Sequence, residues 1–226
     1  MGLILCLALN SSADLIFTEL MYNPKSTPDQ DWEFVEVLNN GASGVSLMNW
    51  KLDDVANGGT SPATIIGTSF TLAAGGVVVL SSQTLSAFNT HWGTSLNTLN
   101  YIAMSSWPTL NNDGDSVRLI DNGDVVQRAL AYSNTSPWPS IPTASSSDSS
   151  IMFKLDPGSA TVSQNDDGAN WVKSAVGDGI SFASATSPFD IGSPGSVVPE
   201  PATAFAGIAA LSILLWTCRK RVNQKY

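Results

Sequence analysis

The chain has 226 residues, 43% of them hydrophobic and 13% charged, with a formal net charge of −9 at pH 7. That length fits one domain of generous size, or one domain with attached sorting segments, and the hydrophobic share excludes wholesale disorder. The acidic balance excludes sequence-independent nucleic-acid binding, which needs dense Lys and Arg, and a single histidine with two distant cysteines excludes His-rich and CxxC metal sites.

At the N-terminus, Leu3 to Leu9 is an apolar run followed by Asn10-Ser11-Ser12-Ala13 and Asp14. Small residues at Ser11 and Ala13 complete a signal-peptide pattern over 1–13, with no Lys or Arg ahead of the apolar run. From 14 to 195, short apolar runs alternate with Gly, Asn, Asp and Pro, the rhythm of strands and turns. Strands are expected at Leu15–Leu20, Glu33–Leu38, Trp50–Leu52, Thr64–Ile66, Val77–Leu80, Tyr101–Ala103, Ser116–Ile120, Val125–Tyr132, Ile151–Leu155 and Trp171–Lys173. The unbroken run Val77–Leu80 reads as a strand buried on both faces. Leu85, Phe88 and Trp92 recur at helical spacing behind Thr84, a capping residue, so one helix is expected over an edge or end of the sheets. Asn122-Gly123, within Asp121–Asp124, is a tight-hairpin signal between two strands. Many short strands separated by turn residues indicate a sandwich or barrel.

The C-terminal segment has three parts in order. Pro199-Glu200-Pro201 precedes seventeen uncharged residues, Ala202 to Cys218, and then Arg219-Lys220-Arg221. As a helix the middle part spans about 25 Å, close to a hydrocarbon core of about 30 Å, with the basic triplet held on the cytoplasmic side. This order resembles the PEP-CTERM sorting signal of Gram-negative bacteria. The resemblance implies export to the cell surface or extracellular matrix, residence in the membrane through one transmembrane helix before processing, and an exosortase as partner. Between the two ends, residues 14–198 hold six basic and eighteen acidic residues and no cysteine, so burial rather than disulfides must stabilise them.

The middle of the chain also resembles a known family. Leu15-Ile16-Phe17-Thr18-Glu19-Leu20-Met21-Tyr22-Asn23-Pro24 is similar to the opening strand of bacterial lamin-tail domains. Trp32-Glu33-Phe34-Val35-Glu36-Val37-Leu38-Asn39-Asn40 is similar to the family's next characteristic strand. The likeness continues through Val45–Asp54, Phe70–Gly76, Gly114–Ile120, Pro137-Trp138-Pro139 and Gly192-Ser193-Pro194-Gly195. It implies an all-β fold, an immunoglobulin-like β-sandwich of lamin-tail type over 14–195, with the transmembrane helix in the sorting segment 196–226. It implies an interaction module with no catalytic constellation, binding envelope polysaccharide or protein. Nuclear lamins add a coiled-coil rod, and this chain has no sustained heptad.

Few residues invite chemistry. Asp113 and Asp115, Asp121 and Asp124, and Asp166 and Asp167 lie in Asn/Asp/Gly-rich loops. Hard oxygen ligands of that kind suit Ca²⁺, so a calcium-stabilised envelope protein is the alternative reading, although Asp, Asn and Gly are also plain turn formers. No other cofactor is expected. Trp107 before Pro108 and Trp138 between Pro137 and Pro139 are loop tryptophans, either platforms for stacking a ligand or plugs at the ends of the sandwich. Glu36 shares a strand face with Phe34 and Leu38 and needs a partner, for which Arg118 and Lys51 are the candidates. His91 reads as a packing or surface residue, with no nucleophile near it in sequence. A secreted hydrolase would need a carboxylate pair in an apolar pocket; the sequence indicates none, and no catalytic residue is assigned.

Overall fold

A computed structural model describes residues 15–54, 63–64, 69–142 and 149–196. The elements in chain order are β1 (Leu15–Met21), α1 (Asp29–Trp32), β2 (Phe34–Asn39), β3 (Val45–Ser46), β4 (Lys51–Asp54), β5 (Ala63–Thr64), β6 (Thr71–Leu72), β7 (Val77–Ser81), α2 (Leu85–Trp92), β8 (Tyr101–Ala103), β9 (Gly114–Ile120), β10 (Val126–Ser133), β11 (Ile151–Phe153), α3 (Val162–Asn165), a 3-10 turn (Gly168–Asn170), β12 (Trp171–Lys173), β13 (Phe182–Ala183) and β14 (Ile191–Gly192). A six-stranded sheet has the order β12-β11-β1-β2-β7-β8, and a four-stranded sheet the order β10-β9-β4-β5. The short pairs β3–β6 and β13–β14 form two further two-stranded sheets.

The described strands pair antiparallel apart from β7 and β8, which are parallel. A parallel pair cannot be joined by a tight turn; it needs a crossover, and α2 supplies it. Thr84 caps this helix by accepting the Ala87 N–H at 3.2 Å. Phe88 and Trp92, one turn apart, project from one side of the helix. They pack on Phe34, Val79 and Met21, so α2 covers the face of the six-stranded sheet and not an edge or end of the sandwich.

The other face of that sheet builds the main core. Leu20, Val35, Val37, Val78 and Leu80 meet Leu52, Val117, Leu119, Leu130 and Tyr132 of the four-stranded sheet. Covered on both sides, β1 and β2 are buried at every residue. This double cover places Glu19 and Glu36 in the interior, since alternation must turn one set of side chains away from the main core.

The 121–124 turn departs from the two-residue hairpin. The Asp121 N–H donates to Val125 O at 2.9 Å and the Asp124 N–H to Asp121 O at 3.1 Å. Positive φ falls on Asp124, at 64°, while the Asp121 carboxylate accepts the Gly123 and Val125 N–H groups. A longer loop with a left-handed residue after the turn therefore joins β9 to β10. Among the described residues no helix is long and apolar enough to cross a membrane, and the 202–218 span and the 1–13 signal segment lie outside them.

Candidate functional site

Glu19 and Glu36 are cross-strand partners at the centre of the six-stranded sheet. A bulge between Phe17 and Glu19 frees Thr18, whose hydroxyl donates to Glu36 Oε1 at 2.6 Å. The remaining donors come from far along the chain. Ser193 gives Glu19 its N–H (2.7 Å) and its hydroxyl (2.8 Å), Ser150 adds a hydroxyl, and the Gly195 N–H reaches Glu36 Oε2 at 2.6 Å. Gly192 passes so close to Glu19 Oε1 that a Cβ there would lie 2.8 Å from it. Burial pushes Glu19 up to about 7, against the hydrogen bonds it accepts. Burial and the Glu19 charge together push Glu36 up to about 8. With exposures of 1% and 0%, neither carboxyl can reach the proton of a bound substrate, so the pair is an internal structural device and not a general acid or base. Arg118 and Lys51, the partners expected for Glu36, instead pair with Asp53 and Asp124 in the region of the four-stranded sheet.

Glu33 is a third buried carboxyl. Its Oε2 accepts the Trp107 indole N–H at 2.6 Å and the Leu110 N–H at 2.9 Å, while Oε1 has no hydrogen-bond partner among the described residues. Burial pushes it up to about 8, with Asp29 and Asp54 adding to the effect. Burial and a hydrogen bond with Asp54 likewise push Asp115 up to about 6.

A second polar cluster joins α2 to the last strands. Thr186 Oγ1 is 2.6 Å from His91 Nδ1, and Asp190 Oδ2 is 3.1 Å from His91 Nε2. The Lys25 N–H donates to Asp190 Oδ1 at 2.5 Å, and the Trp32 ring lies over the His91 ring at 4.0 Å between centroids. A hydroxyl, an imidazole and a carboxylate in a row are the parts of a nucleophilic relay. Here the neighbouring Ala185 and Thr186 N–H groups donate to His91 O, so they are not directed at an oxyanion site. The arrangement is a buried clasp, which fits His91 as a packing residue. Thr186 and Asp190 are separated from it by 95 and 99 residues, so no sequence pattern links the three.

The two loop tryptophans are half-buried against the main core. Trp107 commits its N–H to Glu33. Trp138 stacks on Trp171 at 5.6 Å and covers Gly168, where a Cβ would meet the indole at 2.6 Å. Both therefore plug the sandwich and keep only part of their rings at the surface.

The six loop aspartates do not converge. Asp115 accepts the Asn111 and Ser116 N–H groups, and Asp113 donates its N–H to Asn111. Asp121 ties its own turn, and Asp124 pairs with Lys51. Asp166 pairs with Arg128 at 2.6 Å, and Asp167 caps the 3-10 turn through the Ala169 N–H. Among the described residues no three His, Cys, Asp or Glu side chains gather as a metal site. An open groove of about 430 Å³ lies between the end of α2 and the C-terminal strands, lined by Gly93, Leu96, Asn100, Phe182, Pro194 and Ser196.

No curated protein matches this sequence. Among solved structures, a DUF4876 family protein from Bacteroides thetaiotaomicron VPI-5482 is similar over 85% of this chain and 75% of its own, at 13% identity and a TM-score of 0.45. The family model of the Lamin Tail Domain, an immunoglobulin-like module, matches residues 9–134. The fold continues past that match, because β11 and β12 complete the sheet beside β1. With more than half of its length matched, the chain belongs to the lamin tail domain family.

Proposed function

We propose that this protein is an exported, non-catalytic interaction module of the cell surface or extracellular matrix of a Gram-negative bacterium. The observation that carries the reading is the order of the C-terminal segment: Pro199-Glu200-Pro201, an uncharged stretch, then Arg219-Lys220-Arg221. On this reading it is a PEP-CTERM signal that holds the protein in the membrane until an exosortase acts near the box. The signal-peptide pattern over 1–13 supports the same route.

The ligand on this reading is envelope polysaccharide, with the partly exposed rings of Trp107 and Trp138 as stacking faces. The test is co-sedimentation of the purified protein, residues 14–198, with extracellular polysaccharide from the producing organism. A saturable pellet that weakens in Trp107→Ala or Trp138→Ala supports it. A clean supernatant excludes polysaccharide and leaves an envelope protein as the partner.

A further inference from the structure

Residues 192–195 close over two carboxyls, and among the described residues no lysine or arginine pairs with either. Ser193 covers Glu19 with its N–H and hydroxyl, and Gly195 covers Glu36 with its N–H. The surrounding elements present Val79 from β7, Trp92 from α2, and the Ser150 hydroxyl ahead of β11. Among the described residues, the ionisable groups that bear on the pair are the two glutamates themselves and Asp178, all acidic. His91 and Asp190, which flank the same segment, are bound to each other. Among the described residues the site therefore has donors to hold a carboxylate and no cation to offset a second one.

We propose that Glu19 and Glu36 form a proton-operated latch that holds the Gly192–Gly195 segment on the sheet while protons remain on the pair and releases it when both carboxyls ionise. Two adjacent carboxylates in a dry site repel each other, and each must be hydrated once charged. Lifting the segment is the most direct way to admit water, because it is a single irregular strand end, whereas β1, β2 and β7 are locked by the sheet. Gly195, the last residue the latch holds, lies four residues before Pro199 in the sequence.

Linkage fixes the sign and the steepness. The closed pair titrates near 7 and 8, against an ordinary glutamate value of 4.5, so opening releases protons. The opening constant should rise about a hundredfold per pH unit while two protons are released and about tenfold per unit while one is, then level off above about 8. Hydrogen exchange of the Ser193 and Gly195 amides in the full chain, in detergent micelles and corrected for intrinsic base catalysis, reads this directly. The Val79 amide, in β7, serves as the control for global unfolding. The expected result is a steep loss of protection at Ser193 and Gly195 between pH 5 and 8 with Val79 still protected. In Glu36→Gln the slope should fall to about tenfold per unit or less. Flat protection at Ser193 and Gly195 across that range, or loss in step with Val79, would overturn the latch. Should the variant not fold, the wild-type profile alone decides.

Discussion

Asn165 bonds both main-chain groups of Phe17: its Oδ1 accepts the Phe17 N–H at 3.1 Å and its Nδ2 donates to Phe17 O at 2.8 Å. On its other side β1 pairs with β11 only at Glu19 and Leu20, so at Phe17 this side-chain amide stands in for a neighbouring strand. Arg128 donates to the same Oδ1 at 2.7 Å and lies over the Phe17 ring, 5.4 Å from its centroid. Truncating the amide strands two buried backbone groups and one guanidinium contact. Asn165→Ala is therefore expected to cost about 2–4 kcal/mol, read by urea unfolding. A loss below about 0.5 kcal/mol would mean that β1 does not need this substitute strand.

The buried clasp should matter locally. Asp190→Asn puts an amide NH₂ beside the His91 ring nitrogen in a site with 0% exposure at Asp190. The expected cost is about 1–3 kcal/mol, with amide protection falling first in β13 and β14. Unchanged protection there would show that α2 holds these strands by packing alone.

Glu33 makes stability depend on pH in a definite direction. Its folded-state value of about 8 exceeds the ordinary 4.5, so folding takes up a proton. The contribution is full below about pH 4.5 and is lost as pH rises towards about 8. Between these limits Glu33→Gln should flatten the fall of unfolding free energy by about 1.4 kcal/mol per pH unit. Parallel profiles for the variant and the wild type would contradict a protonated Glu33.

Gly168 is sterically required under Trp138. A methyl group there would sit 2.6 Å from the indole, and neither the ring nor the 3-10 turn can yield without repacking Trp171. Gly168→Ala should cost about 1–3 kcal/mol and shift tryptophan emission to the red as Trp138 lifts from its seat. An unshifted spectrum at wild-type stability would place Trp138 off Gly168 in solution.

Much of this architecture is legible in the sequence because its signals are local. The strands at Tyr101–Ala103 and Trp171–Lys173 and the helix Leu85–Trp92 with its Thr84 cap follow from apolar spacing and a single hydroxyl. Strands β3, β5, β6, β13 and β14, of two residues each, are too short to carry any period. Alternation places Glu36 on the face of Phe34, but its partners were not readable: one is the Gly195 N–H, 159 residues away, and a backbone donor has no side-chain identity. The loop aspartates, which attract attention as oxygen ligands, are used by their own turns and by Lys51 and Arg128.

Export is tested by fractionation of the producing bacterium with mass spectrometry of the mature protein. Export predicts a product in the surface or matrix fraction that begins at Asp14 and whose C-terminal region is cut near Pro199-Glu200-Pro201. An uncut chain of residues 1–226 confined to the cytoplasm would contradict it.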